Sequence, residues 1–333
     1  MLGNNEKNDI VQIIEEFIST CSNKIQVSNI DIQKEFLDFG TITYTEKTRA
    51  SIKVQDGCNN FCSYCLIPYA RGRIRSRKKE SVLEEIQEIA KRGLQEVVIT
   101  GIHIASYGKD FEEEYRLIDL LEDINKLKGI KRIRLGSLEP NVITEEFVEG
   151  LVKLEKMCAH FHLSLQSGCN ETLKRMNRKY TTEQIKNCVK LLRSKFKDIA
   201  LTTDIIVGFP GETEEEFKTT YNFLKEIKLT KMHIFKYSPR EGTRAAVMPN
   251  QIDGSIKEQR SQKLIELSNK NEEEFLQKQI GKKVEVLFEE QEDKYWKGHT
   301  RNYLEVKKEG TNLENVLQTV EIINQENNYL IAK

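Results

Sequence analysis

Two rhythms of apolar and polar positions alternate along this chain. From residue 51 onward, short runs rich in branched and aromatic residues recur at 52–55, 96–100, 132–136, 161–165, 201–207 and 233–237. Between them, 81–92, 115–127, 145–154, 182–195 and 214–227 carry apolar residues at three- and four-residue spacing. The first rhythm predicts strands and the second amphipathic helices. Strand and helix alternate five times, and a sixth strand closes the series. Repeats of about 30–45 residues suit right-handed βαβ units on a parallel sheet. Six units fall short of a closed eight-stranded barrel. The pattern therefore predicts an α/β fold built on a partial (β/α)6 barrel of the TIM type, with an open doubly wound sheet as the alternative. Both place ligands at the carboxyl ends of the strands.

The flanks read differently. Residues 10–17 (IVQIIEEF) have helical spacing, and after polar residues comes the short run Thr41 to Tyr44. Residues 1–47 hold too little apolar surface to bury a core, and read as a linker or the tail of a domain. Residues 256–279 read as a long, charge-rich surface helix. After Gly281, alternating segments at 283–287, 295–301, 304–307 and 316–323 predict a small all-β domain. The chain thus divides into 1–47, 48–279 and 280–333. In the last part Tyr295, Trp296, Lys297, His299, Arg301 and Tyr303 mix aromatics with bases, which suits stacking on unpaired bases beside phosphates. Against that, residues 281–333 carry eight Lys/Arg and ten Asp/Glu, so an ordinary small β domain stays open.

Composition narrows the picture. The 333 residues are 38% hydrophobic and 31% charged, with a formal net charge of zero. No apolar run approaches the roughly 18 residues of a membrane helix, and the first residues lack a signal-peptide core. The cytoplasm is the expected location. Global charge names no partner, but Arg71, Arg73, Arg75, Arg77, Lys78 and Lys79 fall within nine residues without an acid. That run is either a solvated loop or a phosphate-facing one.

Seven cysteines include three in one stretch, Cys58, Cys62 and Cys65, directly after the first strand. In a reducing compartment this pattern favours metal binding over disulfides. One loop can wrap three thiolates around a face of an iron–sulfur cluster. Electron-transfer clusters use four such ligands; here no fourth cysteine follows, so one iron would stay open to a substrate or cofactor. A zinc site is disfavoured because zinc takes four ligands, or three plus water, and the next histidine downstream is His103. Small and polar residues gather at the other strand tips: Gly101 to His103, Ser137 to Pro140, Gln166 to Gly168, Gly208 to Glu212 and Ser238 to Arg240. His103 stands on that rim. His160 and His162 flank strand four and read as structural, and Cys158, Cys169 and Cys188 as buried small hydrophobes.

The cysteine loop resembles the signature of the radical SAM superfamily. The fuller stretch DGCNNFCSYCLIPYARG (56–72) with RSR (75–77), LQSG (165–168), RMNRKY (175–180) and DIIVGFPGET (204–213) resembles the tRNA methylthiotransferases. The last domain is similar to the TRAM module, an RNA-binding unit of that family. IPYARG (67–72) and TGIH (100–103) most resemble the branch that acts on N6-threonylcarbamoyladenosine at tRNA position 37; the isopentenyladenosine branch is the alternative.

The resemblance implies that Cys58, Cys62 and Cys65 hold a 4Fe–4S cluster with S-adenosylmethionine on the open iron. Reductive cleavage would give a 5′-deoxyadenosyl radical able to take the hydrogen from C2 of the purine. It also implies cofactor contacts at Tyr64, Gly101, Ser137, Gln166 and Arg178, with Arg178 as carboxylate partner. Expected partners are the tRNA anticodon stem-loop and an electron donor such as flavodoxin or ferredoxin. The family carries a second 4Fe–4S cluster on three N-terminal cysteines. Here only Cys21 precedes Cys58, so residues 1–47 are expected to be a remnant of that domain, with the second cluster's ligands missing and sulfur insertion in doubt. A tRNA-binding relic without catalysis is the reading from another class.

Overall fold

The computed structural model describes residues 2–21, 25–30, 34–40 and 48–333; the run from Thr41 to Tyr44 lies outside them. Six parallel strands make the predicted partial barrel: β1 (Arg49–Asp56), β3 (Glu96–Gly101), β4 (Arg132–Leu135), β5 (His160–Gln166), β6 (Ala200–Val207) and β7 (Lys231–Lys236). They hydrogen-bond in two sets, β1-β3-β4 and β5-β6-β7. Single bridges from Ile133 to Met157 and from Leu138 to Leu163 carry the curve from β4 to β5. A two-residue strand, β2 (Arg75–Ser76), pairs antiparallel with the tip of β1. Sequence patterning misses β2 because two residues have no period.

Alternation explains the layering. Ile52 and Val54 of β1, Leu163 and Leu165 of β5, and Leu201 and Ile205 of β6 point outward into one apolar core. The facing helices are α3 (Lys79–Lys91), α4 (Leu117–Lys126), α5 (Glu145–Val152), α7 (Thr182–Lys195) and α8 (Glu214–Ile227); the short α2 (Ile67–Arg71) precedes α3, and the short α6 (Asn170–Arg175) lies between α5 and α7. Their buried residues keep helical spacing, as Ile185, Val189 and Leu192 do on α7. Thr181 with Gln184 and Thr213 with Glu216 form reciprocal capping boxes that start α7 and α8. The inward faces of the strands are mostly polar, with Lys53, Gln55, His160, His162, Thr202 and Asp204 beside the apolar Val98 and Ile206. By contrast α1 (Ile10–Thr20) buries none of its residues.

Helix α9 (Gly254–Gln277) packs on β7 and leads to a closed five-stranded barrel. Its strands are β8 (Lys283–Glu292), β9 (Tyr295–Thr300), β10 (Glu305–Glu309), β11 (Leu317–Glu326) and β12 (Tyr329–Ala332), in the order β10-β12-β11-β8-β9. Val286, Phe288, Trp296, Val306, Ile322 and Leu330 fill it.

This small barrel sits under the amino-terminal ends of the large one. Arg132, fully buried at the start of β4, donates to Glu285 Oε1 (3.1 Å), the Glu285 carbonyl (2.8 Å) and the His299 carbonyl (2.9 Å). Arg134 donates to Glu96 at 2.8 Å and to the Arg301 carbonyl at 3.2 Å.

Folding of the small barrel and its docking engage several of the aromatic and basic residues of 295–303, of which Trp296 alone is buried. Trp296 is in the small core, Lys297 pairs with Glu292 at 2.9 Å, and Arg301 donates to the Glu155 and Met157 carbonyls at 2.6 and 3.0 Å. Tyr303 stacks against His160 and His299, with centroids at 5.0 and 4.7 Å, and Arg134 and Arg49 also lie over its ring. It borders a cavity of about 310 Å3 lined by His160, His162, His233 and His299, four of the chain's five histidines.

Candidate active site

At the opposite, carboxyl-terminal end, β1 stops at Asp56 and the chain turns through Gly57. Gly57 has φ +73°, and a Cβ there would lie 1.8 Å from the Arg73 carbonyl oxygen, so only glycine permits the return of the loop. Gln55, fully buried, braces the turn. Its Nε2 donates to the Asp56 and Gly57 carbonyls, and its Oε1 accepts from the His103 amide at 2.7 Å. The cysteine loop that follows holds Phe61 at φ +48°, a left-handed conformation uncommon for a large residue. Neighbouring chain keeps it there. Asn177 Nδ2 donates to the Phe61 carbonyl at 2.9 Å, Ser63 N to the Met176 carbonyl at 3.0 Å, and Ser63 Oγ to the Arg175 carbonyl at 2.8 Å.

The three thiols of this loop are free and half-buried. Burial and the nearby Cys62, Glu139 and Cys65 push the Cys58 thiol up to about 11. Burial also raises Cys65, against the pull of Arg178. Arg178 Nη1 donates to Cys62 Sγ at 3.2 Å. Among the described residues no group of three His, Cys, Asp or Glu side chains is already set to hold a metal ion. Even so, the donor set suits an iron–sulfur cluster: three half-buried thiols on one loop, with the Arg178 guanidinium beside them to favour their anionic form. The other thiols stand apart. Cys169 bonds Glu171, Cys188 bonds the Pro140 carbonyl, Cys158 is buried beside Arg134, and Cys21 is exposed at the end of α1.

The motifs downstream of the loop serve it. Arg175 donates to the Pro210 carbonyl at 3.2 Å and to Glu216, tying the 204–213 segment to α6. Tyr180 OH bonds the Leu165 carbonyl at 3.0 Å. Arg178 Nε donates to Tyr180 OH at 2.6 Å and Nη2 to the Ser164 carbonyl at 3.0 Å, and Nη2 also forms an ion pair with Glu139 Oε1 at 2.9 Å. With the Cys62 contact, each of its three nitrogens donates to a protein acceptor.

Glu139 also accepts from Asn60 Nδ2 at 2.8 Å and from His103 Nε2 at 3.1 Å. Its burial works against the charge, but these donors hold its carboxyl below the usual carboxylate range. Sequence reasoning did not single out Asn60, Glu139 or Gln55. The signal, a polar residue at each of several strand tips, was present; which tips meet was not.

The predicted contact residues fall as follows. Tyr64 packs edge-on against Phe209, with centroids 6.3 Å apart. Gly101 has a packing reason already, because a Cβ would lie 2.8 Å from the Gln55 carbonyl oxygen. Ser137 is exposed on the rim. Gln166 is at φ +69°, the strained tip of β5, and its side chain has no hydrogen bond to a described residue. The basic run splits: Arg75 and Arg77 are buried against Asp56 and against Asp38 and Glu85, while Arg73 is exposed.

Residues 52–224 match the sequence profile of the radical SAM superfamily. The chain is 39% identical over 317 residues to threonylcarbamoyladenosine tRNA methylthiotransferase MtaB of Bacillus subtilis (strain 168), covering 93% of this chain and 70% of that one. The chain belongs to the methylthiotransferase family of the radical SAM superfamily. Relatives with other targets are as similar. Identity is 42% over 268 residues to tRNA-2-methylthio-N(6)-dimethylallyladenosine synthase of Thermoanaerobacter sp. (strain X514), with 80% and 57% covered. It is 40% over 306 residues to ribosomal protein uS12 methylthiotransferase RimO of Clostridium botulinum (strain Loch Maree / Type A3), with 91% and 67% covered. This radical SAM chain has no described helix long and apolar enough to cross a membrane.

Proposed function

We propose that this methylthiotransferase acts on tRNA, at C2 of N6-threonylcarbamoyladenosine 37, with N6-isopentenyladenosine 37 as the alternative substrate. The observation that carries the enzyme reading is the loop of three half-buried thiols with Arg178 on Cys62 and no fourth cysteine beside it. The choice of nucleoside rests on the relative that aligns with 93% of this chain.

Cys58, Cys62 and Cys65 would hold a 4Fe–4S cluster, and S-adenosylmethionine would take the open position. When bound, the pair supplies a carbon radical able to break an unactivated C–H bond, which side-chain acids and bases cannot do. The protein's share is orientation. Arg178 keeps one Nη1 hydrogen for the methionine carboxylate. Gln166 offers an unpaired amide from its strained strand tip, and Ser137 a hydroxyl on the rim. Tyr64, backed by Phe209, walls the site and keeps water out. Gly101 keeps β3 close against β1, which sets the depth of that wall. The small barrel is read as a TRAM-like unit on residues 280–333, following a radical SAM domain on 48–279. An anticodon stem-loop would reach it away from the docked 295–303 face. Flavodoxin or ferredoxin fits the need for one-electron supply.

Anaerobic reconstitution tests this. About four irons per chain are expected, and about eight would show a second cluster. Incubation with S-adenosylmethionine and dithionite should release 5′-deoxyadenosine, and the triple variant Cys58→Ala/Cys62→Ala/Cys65→Ala should release none. Absence of 5′-deoxyadenosine from the wild type would favour the non-catalytic RNA-binding reading. Mass spectrometry of two tRNAs, each carrying one candidate nucleoside, identifies the substrate.

A further inference from the structure

Glu139 is the point where three separate segments meet the cysteine loop. Its side chain is 9% exposed. Arg178 comes from the turn after α6, His103 from the tip of β3, and Asn60 from the cysteine loop itself; Asn60 donates to it, and Arg178 Nη2 and His103 Nε2 lie 2.9 and 3.1 Å from its carboxylate oxygens. We propose that Glu139 is a positioning residue that, through Arg178, raises the reduction potential of the cluster held by Cys58, Cys62 and Cys65. The proposal rests on the cluster reading above.

The argument is one of geometry and sign. An N–H donor on a cluster sulfur stabilises the more negative, reduced state, and hydrogen bonds to sulfur are among the levers that set such potentials. Arg178 is that donor for Cys62. Its long side chain has several rotatable bonds and keeps this pose only if its partners hold it. Tyr180 OH and the Ser164 carbonyl are neutral acceptors; Glu139 is the charged one. A charge-assisted pair is roughly twice as strong as a neutral bond.

Acting directly, the carboxylate would do the reverse. Its negative charge already pushes the Cys58 thiol up, and beside an anionic cluster it would lower the potential. The direct and the Arg178-mediated effects therefore have opposite signs, and a measurement separates them.

The test is an EPR-monitored redox titration of the reconstituted full chain, with iron content and far-ultraviolet dichroism as controls. In Glu139→Gln the amide oxygen can still meet Arg178 and Asn60, which share Oε1, but the negative charge is gone, so Arg178 is held by a neutral acceptor only. The midpoint should move to a more negative potential, with four irons retained and a changed EPR line shape. Glu139→Ala should move it the same way and guards against an amide that mimics the acid. In an Arg178→Lys background, Glu139→Gln should no longer lower the midpoint. An unchanged or more positive midpoint in both single variants overturns the proposal. So does an equal drop in the Arg178→Lys background. Loss of iron from both variants with the fold intact would make Glu139 a loop brace and overturn it as well. A wild type that takes up no iron would fail the cluster reading itself, a distinguishable result.

Discussion

Protonation of His160 should loosen the floor of the large barrel. The residue is 8% exposed at the start of β5, stacked on Tyr303, with Nε2 3.3 Å from Thr202 Oγ1 and no hydrogen-bond partner for Nδ1 among the described residues. Burial, with Arg134, His162, His299 and His233 close by, pulls its pKa down from 6.5 to about 3. The folded value lies below the unfolded one. Between those two values the unfolded chain therefore binds the extra proton, and stability falls as pH falls. The contribution is whole above about pH 6.5 and declines by about 1.4 kcal/mol per pH unit below it. Between pH 7.5 and pH 5.0 that amounts to about 2 kcal/mol.

His160→Gln cannot take the proton. At pH 7.5 it should be the less stable protein, by about 1 kcal/mol for the lost ring contact. At pH 5.0 the order should invert. Urea unfolding of both proteins across this range is the assay, and groups shared by the two chains cancel in the difference. Two curves that run parallel from pH 7.5 to 5.0 would refute the reasoning, because the imidazole would then titrate alike in both states.

Three further outcomes follow from the same geometry. Arg132→Met should remove one donor from two small-barrel carbonyls and leave Glu96 with Arg134 as its arginine partner, costing about 1–3 kcal/mol; trypsin should then cut the α9–β8 link faster, and an unchanged cutting rate would mean the interface does not rest on this residue. Arg260→Met takes from the buried Glu212 its charged partner, which now donates from Nη1 at 2.7 Å, at a cost of about 3–5 kcal/mol. Burial already raises Glu212, so the loss in urea midpoint should be largest at neutral pH and shrink in acid. Gly57→Ala adds backbone strain on the order of 1–3 kcal/mol and a clash with Arg73; iron uptake should fall sharply while helix content by dichroism holds.

Much of this protein is legible in its residues alone. The two periods locate six strands and five helices, because burying one face of each element forces apolar residues to its own spacing. Helices α7 and α8 begin and end where the pattern says, since Thr181 and Thr213 cap them with side chains written locally. The thiol loop is legible for the same reason: its ligands are near neighbours in the chain, and Gly57 marks the turn. What depends on distant partners is not. Nothing local distinguishes Glu139 from the other polar tips, or tells Arg75 and Arg77, which are buried, from Arg73, which is exposed. Trp296 and Arg301 look like a nucleic-acid surface until the small barrel's own core takes Trp296 and its docking beneath the large barrel takes Arg301. Chain-local chemistry decided where the cluster ligands are and which elements carry them. Only the closing of the sheet decided which strand tips surround them, because that depends on residues far apart in sequence arriving at one rim.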